Sequence, residues 1–253
     1  MKTYKEVKEQ NIFKLRPNAY AYGYAFGLIQ LEENYIAIPG DLNNAQSYDY
    51  QVLLAALNGA NANDLKSPTN DTKKKVVELA KAIEEQGVKG LSYTNGVFAS
   101  CHSDIVSALN IPVVNIFEFV NLVHDYFLGG VKKVGILTLD SRNINESFLK
   151  SLGFIKNRNI AVYGLEEIPV ISEQISGQIE SLDAAEFDSA VKDFIENLMT
   201  TNPDIKALVI ESNLLTPYSK TVRSTAKIPV YDLRNALDYV YLSTHQKEYN
   251  GDY

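Results

Sequence analysis

The chain has 253 residues, of which 45% are hydrophobic and 22% charged, so it can form one large domain or two small lobes. Its formal net charge of −7 argues against a nucleic-acid partner, because phosphate binding needs clustered Lys and Arg side chains. A single cysteine excludes an intramolecular disulfide and any cysteine-based metal cluster.

The N-terminal residues and the apolar runs bear on localisation. Residues 1–10 are charged rather than apolar, which is not typical of a secretory signal peptide. No apolar run approaches the roughly 18 residues that a membrane-spanning helix needs. We therefore expect a soluble, cytoplasmic protein with no membrane partner.

In the first half of the chain, apolar runs alternate with helical patterns. Between residues 72 and 86, apolar side chains such as Val76, Ala80 and Ile83 recur at helical spacing, and Gly87 suits the end of a helix. Similar patterns predict strands over 21–31, 88–93 and 113–114, and helices over 50–57, 72–86, 98–109 and 117–127.

The second half continues the alternation after Gly129 and Gly130, which we interpret as a hinge. Alternating strands and helices imply parallel sheets with right-handed crossovers. We predict an N-terminal lobe of residues 20–128 plus 233–253, and a C-terminal lobe of residues 129–232. The predicted strands are 132–140, 160–165 and 208–211, and the predicted helices are one that ends at 152 and those over 184–199, 217–226 and 233–242.

Two segments, residues 90–96 and 207–213, share one pattern, in which an apolar strand runs into small polar residues. A second short strand follows each, at 111–114 and 228–231, and the offset is constant: 212 − 95 = 117 and 228 − 111 = 117. One α/β unit used twice predicts two pseudo-symmetric, Rossmann-like lobes with a cleft between them. Asn95 and Ser212 occupy equivalent strand ends, where open α/β sheets bind ligands.

Three segments carry a resemblance to a known family: residues 38–44, residues 90–98, and residues 207–213 with Pro217 and Tyr218. Through the order and spacing of these segments the chain resembles the aspartate/glutamate racemase superfamily. This superfamily includes hydantoin racemases, maleate isomerases and arylmalonate decarboxylases. The resemblance implies isomerase or lyase chemistry at the carbon next to a carboxylate, without a cofactor. It also implies that helix N-termini hold the acid.

The two positions that the family fills with catalytic cysteines are Asn95 and Ser212 in this chain. A thiol suits proton exchange because its reference pKa of roughly 8.5 can be tuned toward neutrality. An Asn amide does not titrate, and a Ser hydroxyl needs a neighbouring base. We therefore expect any catalysis to follow a route other than the two-thiol one.

Other candidate ligand-binding residues lie beside these two positions or at other strand ends. Thr94 and Gly96 flank Asn95, and Asn213 follows Ser212; each could bind a carboxylate or simply cap a helix. Thr138 lies at the end of the strand predicted over 132–140, and Asp41 lies in a loop rich in turn formers.

Three further residues are poor catalytic candidates. Glu211 precedes Ser212, and adjacent strand side chains point to opposite faces, so we do not expect Glu211 to be its base. Cys101 is interpreted as a buried helix residue. No carboxylate or histidine lies at metal-ligand spacing from His124 along the sequence, so a zinc site is not expected. The family resemblance implies no other cofactor.

The sequence leaves two functions open. One is a racemase-family isomerase or lyase, and the other is a non-catalytic carboxylate-binding or regulatory protein that has lost turnover. A hydrolase that uses Cys101 or Ser212 ranks last, because no base and orienting group are visible. The expected partner is a small carboxylate or amino acid, and a homodimer is left open.

Overall fold

The computed structural model of the protein contains two four-stranded parallel sheets within its described residues, which are 15–129, 131–153, 159–176 and 180–245. The first sheet has the order β2-β1-β3-β4 and the second β6-β5-β7-β8. Every pairing is parallel, so the predicted α/β fold of two lobes is confirmed. The strands are β1 Phe26–Leu31, β2 Val52–Leu57, β3 Gly90–Tyr93, β4 Val113–Val114, β5 Lys133–Thr138, β6 Ile160–Gly164, β7 Ile205–Ile210 and β8 Val230–Asp232.

Helices connect the strands, as parallel pairing requires. The α-helices are α1 Ala62–Lys66, α2 Asn70–Glu85, α3 His102–Ala108, α4 Ile116–Leu122, α5 Glu146–Ser151, α6 Pro169–Ser176, α7 Ala184–Thr201, α8 Ser219–Ala226 and α9 Leu233–Thr244. Three 3₁₀ segments, Ala45–Ser47, Gly96–Cys101 and Asn213–Tyr218, and one π-helical turn, Val123–Phe127, accompany them. No helix in the described part of the chain is long and apolar enough to cross a membrane.

The central strands are buried on both faces, which explains their continuous apolar sequences. In β7, every residue except Lys206 is buried. Phe26, Phe98 and Phe117 are fully buried in one apolar cluster, and Phe187 is buried in a second.

The duplication predicted from sequence continues through four successive elements. The second 3₁₀ segment begins 117 residues after the first (213 − 96), and α8 begins 117 residues after α3 (219 − 102). The same offset separates β8 from β4 (230 − 113) and α9 from α4 (233 − 116). The two lobes therefore repeat one structural unit.

The paired helices α4 and α9 each pack on the opposite lobe. Phe119 of α4 contacts Tyr231 of β8 edge to face. Tyr50, before β2, donates a hydrogen bond to Asp238 of α9 at 3.0 Å and stacks on Tyr241 with ring centroids 4.3 Å apart. The predicted lobe boundaries stay a prediction, and Gly130 of the predicted hinge lies outside the described residues.

The helix predicted over residues 50–57 is wrong, because this segment contains the edge strand β2. Its sequence, Val-Leu-Leu-Ala-Ala-Leu over Val52–Leu57, favours a helix by intrinsic propensity. Pairing with β1 over six residues, from Phe26 with Val52 to Leu31 with Leu57, overrides that preference. The other predicted strands and helices are present with shifted ends, whereas α1 and α6 were not predicted.

Candidate functional site

A cavity of about 340 Å³ lies where the carboxyl ends of the two sheets face each other. Elements of both lobes contribute to its wall, as expected for a cleft between two α/β units. The lining residues are Glu33, Asn34, Tyr35, Ala62, Asn95, Thr138, Leu139, Asp140, Asn143, Ile144, Gln174, Glu211, Ser212, Asn213 and Leu214.

Asn95 and Ser212 line this one cavity from opposite lobes. Each residue lies between the end of a strand and a 3₁₀ segment. The Asn95 side-chain oxygen accepts a hydrogen bond from the Val97 N–H at 3.2 Å, so its amide Nδ2 is the group left for a ligand. The Ser212 side chain makes no such cap, and it is 7% exposed.

Glu211 is the carboxylate that joins the two lobes in the cavity wall. Its Oε1 accepts a hydrogen bond from the Gly96 N–H of the first lobe at 2.8 Å. Its Oε2 accepts one from the Thr138 hydroxyl of the second lobe at 2.8 Å. Burial raises the pKa of Glu211 from 4.5 to about 7, and the two hydrogen bonds oppose part of that rise. Glu211 is therefore poised to exchange a proton near neutral pH.

Gly96 makes this arrangement possible because it has no side chain. A Cβ at residue 96 would lie 2.1 Å from Glu211 Oε1, far inside van der Waals contact. Its N–H, which the sequence suggested for a ligand carboxylate, already donates to Glu211. The first strand end therefore holds a carboxylate that the protein itself supplies.

Tyr35 lines the cavity with a hydroxyl group that other side chains hold in place. It donates a hydrogen bond to Asp41 at 3.0 Å and accepts one each from Asn43 and Asn213, both at 2.6 Å. Asp41 is 1% exposed, and burial raises its pKa to about 6. Because Asn213 belongs to the second lobe, this network ties the loop of Asp41 to that lobe.

The predicted site residues divide into those at the cavity wall and those behind it. Asn95, Thr138, Ser212 and Asn213 line the cavity, whereas Asp41, Gly96 and Thr94 do not. Thr94 is 2% exposed, and its N–H donates to the Ile29 carbonyl of β1. Their roles in binding or catalysis stay predictions.

Several lining residues were not predicted from sequence, and Glu211 is the most important. Strand pairing in β7 ends at Ile210, so the strict alternation of side chains no longer applies at Glu211 and Ser212. Both residues consequently reach the same cavity. The position of Glu211 directly after an apolar strand was the available signal.

The charge of the cavity wall is one-sided, in that every charged side chain that lines it is acidic. Glu33, Asp140 and Glu211 are acidic, and among the described residues that line the cavity there is no Lys, Arg or His. Arg142 pairs with Asp140 at 2.7 Å, but its side chain is 70% exposed. No group of three or more His, Cys, Asp or Glu side chains within the described ranges could hold a metal ion.

We expect Cys101→Ala to leave ligand binding and any turnover nearly unchanged. Cys101 is fully buried in the first apolar cluster, does not line the cavity, and has a thiol pKa that burial raises. Calorimetric titration and an activity assay on the folded variant test this expectation. Loss of activity in a variant that melts like the parent would contradict it.

The chain is similar to known proteins in its fold rather than through a family sequence signature. No protein-family model matches the chain. Over 223 residues it is 23% identical to dimethylsulfoniopropionate lyase 3 of Emiliania huxleyi, a match that covers 82% of this chain and 56% of the lyase. The chain thus spans little more than half the length of this curated relative.

Solved structures match over most of the chain. A mutant of arylmalonate decarboxylase in a sulfate-associated form superposes with a TM-score of 0.59 at 14% identity, covering 87% of this chain and 92% of the other. An aspartate racemase homologue from Pyrococcus horikoshii gives 0.54 at 15% identity, covering 86% and 97%. The chain has the aspartate/glutamate racemase fold. The predicted resemblance to that superfamily is confirmed for the fold, whose two lobes account for the cleft between Asn95 and Ser212.

Proposed function

We propose that the cleft binds a small carboxylate and carries out isomerase or lyase chemistry at the carbon next to it, without a cofactor. In this proposal Glu211 takes the place of a catalytic thiol as the proton-exchanging group. The observation that carries the proposal is the buried Glu211 carboxylate in the cavity wall, with a pKa of about 7. A general base works best when its pKa lies near the operating pH.

The chemistry begins with transfer of the α-proton to Glu211. The electron pair left on the α-carbon spreads into the substrate carboxylate, whose oxygens gain negative charge. The amide Nδ2 of Asn95 and the hydroxyl of Ser212 are donors at the wall that can stabilise this charge. Delivery of a proton to the opposite face of the α-carbon completes an isomerisation. In a lyase reaction the electron pair instead forms a double bond to the β-carbon, while a group leaves the β-carbon with the electrons of its own bond.

The one-sided charge of the wall supports a substrate that carries a positive group as well as a carboxylate. Three acidic side chains would attract such a group, and Asn34, Asn95 and Asn143 offer amide donors to the carboxylate. The relative from Emiliania huxleyi is named for a sulfonium-bearing propionate and for lyase activity. This name favours the lyase branch of the proposal.

A non-catalytic carboxylate-binding protein is the second candidate. It is favoured by the absence of a titratable group at Asn95, and by the lack of a hydrogen bond from Ser212 to any base among the described residues. Under this alternative the cleft binds the same ligands but Glu211 transfers no proton.

Proton exchange in heavy water separates the two candidates. We expect NMR to show loss of the α-proton signal, or a new alkene product, for at least one small carboxylate in a panel that includes dimethylsulfoniopropionate and 3-aminopropanoate. Aspartate and glutamate should racemise little, because no thiol pair is present. Binding by calorimetry without exchange of any panel member would favour the non-catalytic protein.

A further inference from the structure

Gln174 of α6 lines the cavity with an amide group that has no partner. The residue is 3% exposed, and both its Oε1 and its Nε2 are buried. Neither atom has a hydrogen-bond partner among the residues that the structure describes. Native proteins rarely bury an unpaired amide, because the desolvated group costs free energy that a hydrogen bond would offset. An unpaired amide at a cavity wall points to a ligand that supplies its missing hydrogen bonds.

The two amide atoms make opposite demands on that ligand. Nε2 donates, which suits a carboxylate oxygen, and Oε1 accepts, which requires an N–H or O–H on the ligand. The acidic side chains Glu33, Asp140 and Glu211 favour a positive charge in the same cavity. A protonated amine supplies both an N–H for Oε1 and a positive charge for the acidic side chains. A fully methylated onium group supplies only the positive charge.

We propose that Gln174 is a specificity residue that selects carboxylates bearing a protonated amine over those bearing a fully methylated onium group. The inference rests on the proposed carboxylate cleft and adds the class of its ligand. A site built to hydrogen-bond a polar group discriminates strongly against an analogue that lacks it, because the protein group is then left unpaired.

Two ligands of equal charge test the proposal: 3-aminopropanoate and 3-(trimethylammonio)propanoate. Calorimetric titration of the parent should give at least about tenfold tighter binding of the amine, the effect of one well-made hydrogen bond to a charged group. In Gln174→Leu, which keeps the bulk but not the amide, the ratio should fall by about the same factor. Gln51→Leu, at an exposed glutamine, should keep the parent ratio.

Thermal unfolding gives a second readout that a merely structural glutamine would not produce. Without ligand, Gln174→Leu should melt roughly 2–4 °C higher than the parent, because an unpaired buried amide has been removed. A lower melting temperature with an unchanged ligand ratio would overturn the proposal. Equal or tighter binding of the trimethylated ligand by the parent would also overturn the specificity role of Gln174. The proposed carboxylate cleft would stand in that case. If neither ligand binds and no panel carboxylate exchanges its α-proton, both the specificity role and the proposed function fail.

Discussion

Replacing Glu211 with glutamine should lower the rate of α-proton exchange, or of lyase turnover, by about 10² to 10⁴, the usual contribution of a general base. The substitution keeps the shape of the side chain. Its Oε1 can still accept from Gly96, and its Nε2 can donate to the Thr138 hydroxyl in place of the present bond. The rate in heavy water, measured by NMR on a variant with a native melting curve, tests the expectation.

The matched control for this variant is Glu33→Gln. Glu33 also lines the cavity, and burial also raises its pKa, but among the residues that the structure describes no side-chain hydrogen bond ties Glu33 to both lobes as those of Glu211 do. We expect Glu33→Gln to weaken binding of a positively charged substrate and to leave kcat much less affected. An equal loss of kcat in the two variants, or full activity of Glu211→Gln, would contradict the assignment of Glu211 as the base.

The second large effect is on the pH dependence of stability. The pKa of Glu211 is about 7 in the folded protein, against 4.5 for a glutamate side chain that the fold does not bury. The folded state therefore binds this proton more tightly than the unfolded state. The stability that the protonated form contributes is complete below about pH 4.5 and is lost as the pH rises through 7. The expected loss is on the order of 3 kcal/mol of unfolding free energy.

Glu211→Gln removes this dependence, because an amide does not titrate. Denaturant unfolding of the parent and the variant at pH 4.5 and pH 8 measures the difference. Relative to the parent, the variant should gain stability at pH 8 and not at pH 4.5. The raised pKa of Asp41 is about 6, so Asp41 contributes a dependence of the same sign, and Asp41→Asn carried through the same two pH values measures that share separately. Parallel pH profiles for parent and Glu211→Gln would show that the Glu211 carboxyl titrates normally.

Sequence patterns predicted the repeated unit because each lobe buries equivalent apolar strands, and these strands are spaced alike along the sequence. The offset of 117 identified from residues 95 and 212 also relates α4 to α9, which no motif had suggested. Segment Val52–Leu57 was misassigned because its Leu and Ala residues favour a helix, and only pairing with β1 makes it a strand. Two short helices were missed although their start signals were present: Asn61 with Asp64 forms a capping box before α1, and Pro169 begins α6.

The candidate site was predictable where it depends on strand ends and not where it depends on side-chain direction. Asn95 and Ser212 end equivalent strands, and they do share a cavity. Glu211 was set aside on the rule of alternating faces, which ceases to apply one residue past Ile210. Gln174 lies on α6, and only the packing of the second lobe brings its amide to the cleft.

A crystal structure of Glu211→Gln with a bound substrate tests the central claim most directly. This variant should hold the substrate without consuming it. We predict that the ligand occupies the cavity between Asn95 and Ser212, with its α-carbon about 3–3.5 Å from a terminal side-chain atom of residue 211, the separation expected of reacting atoms. A ligand bound outside the cavity, or one whose α-carbon faces away from residue 211, would contradict the claim that Glu211 exchanges the proton.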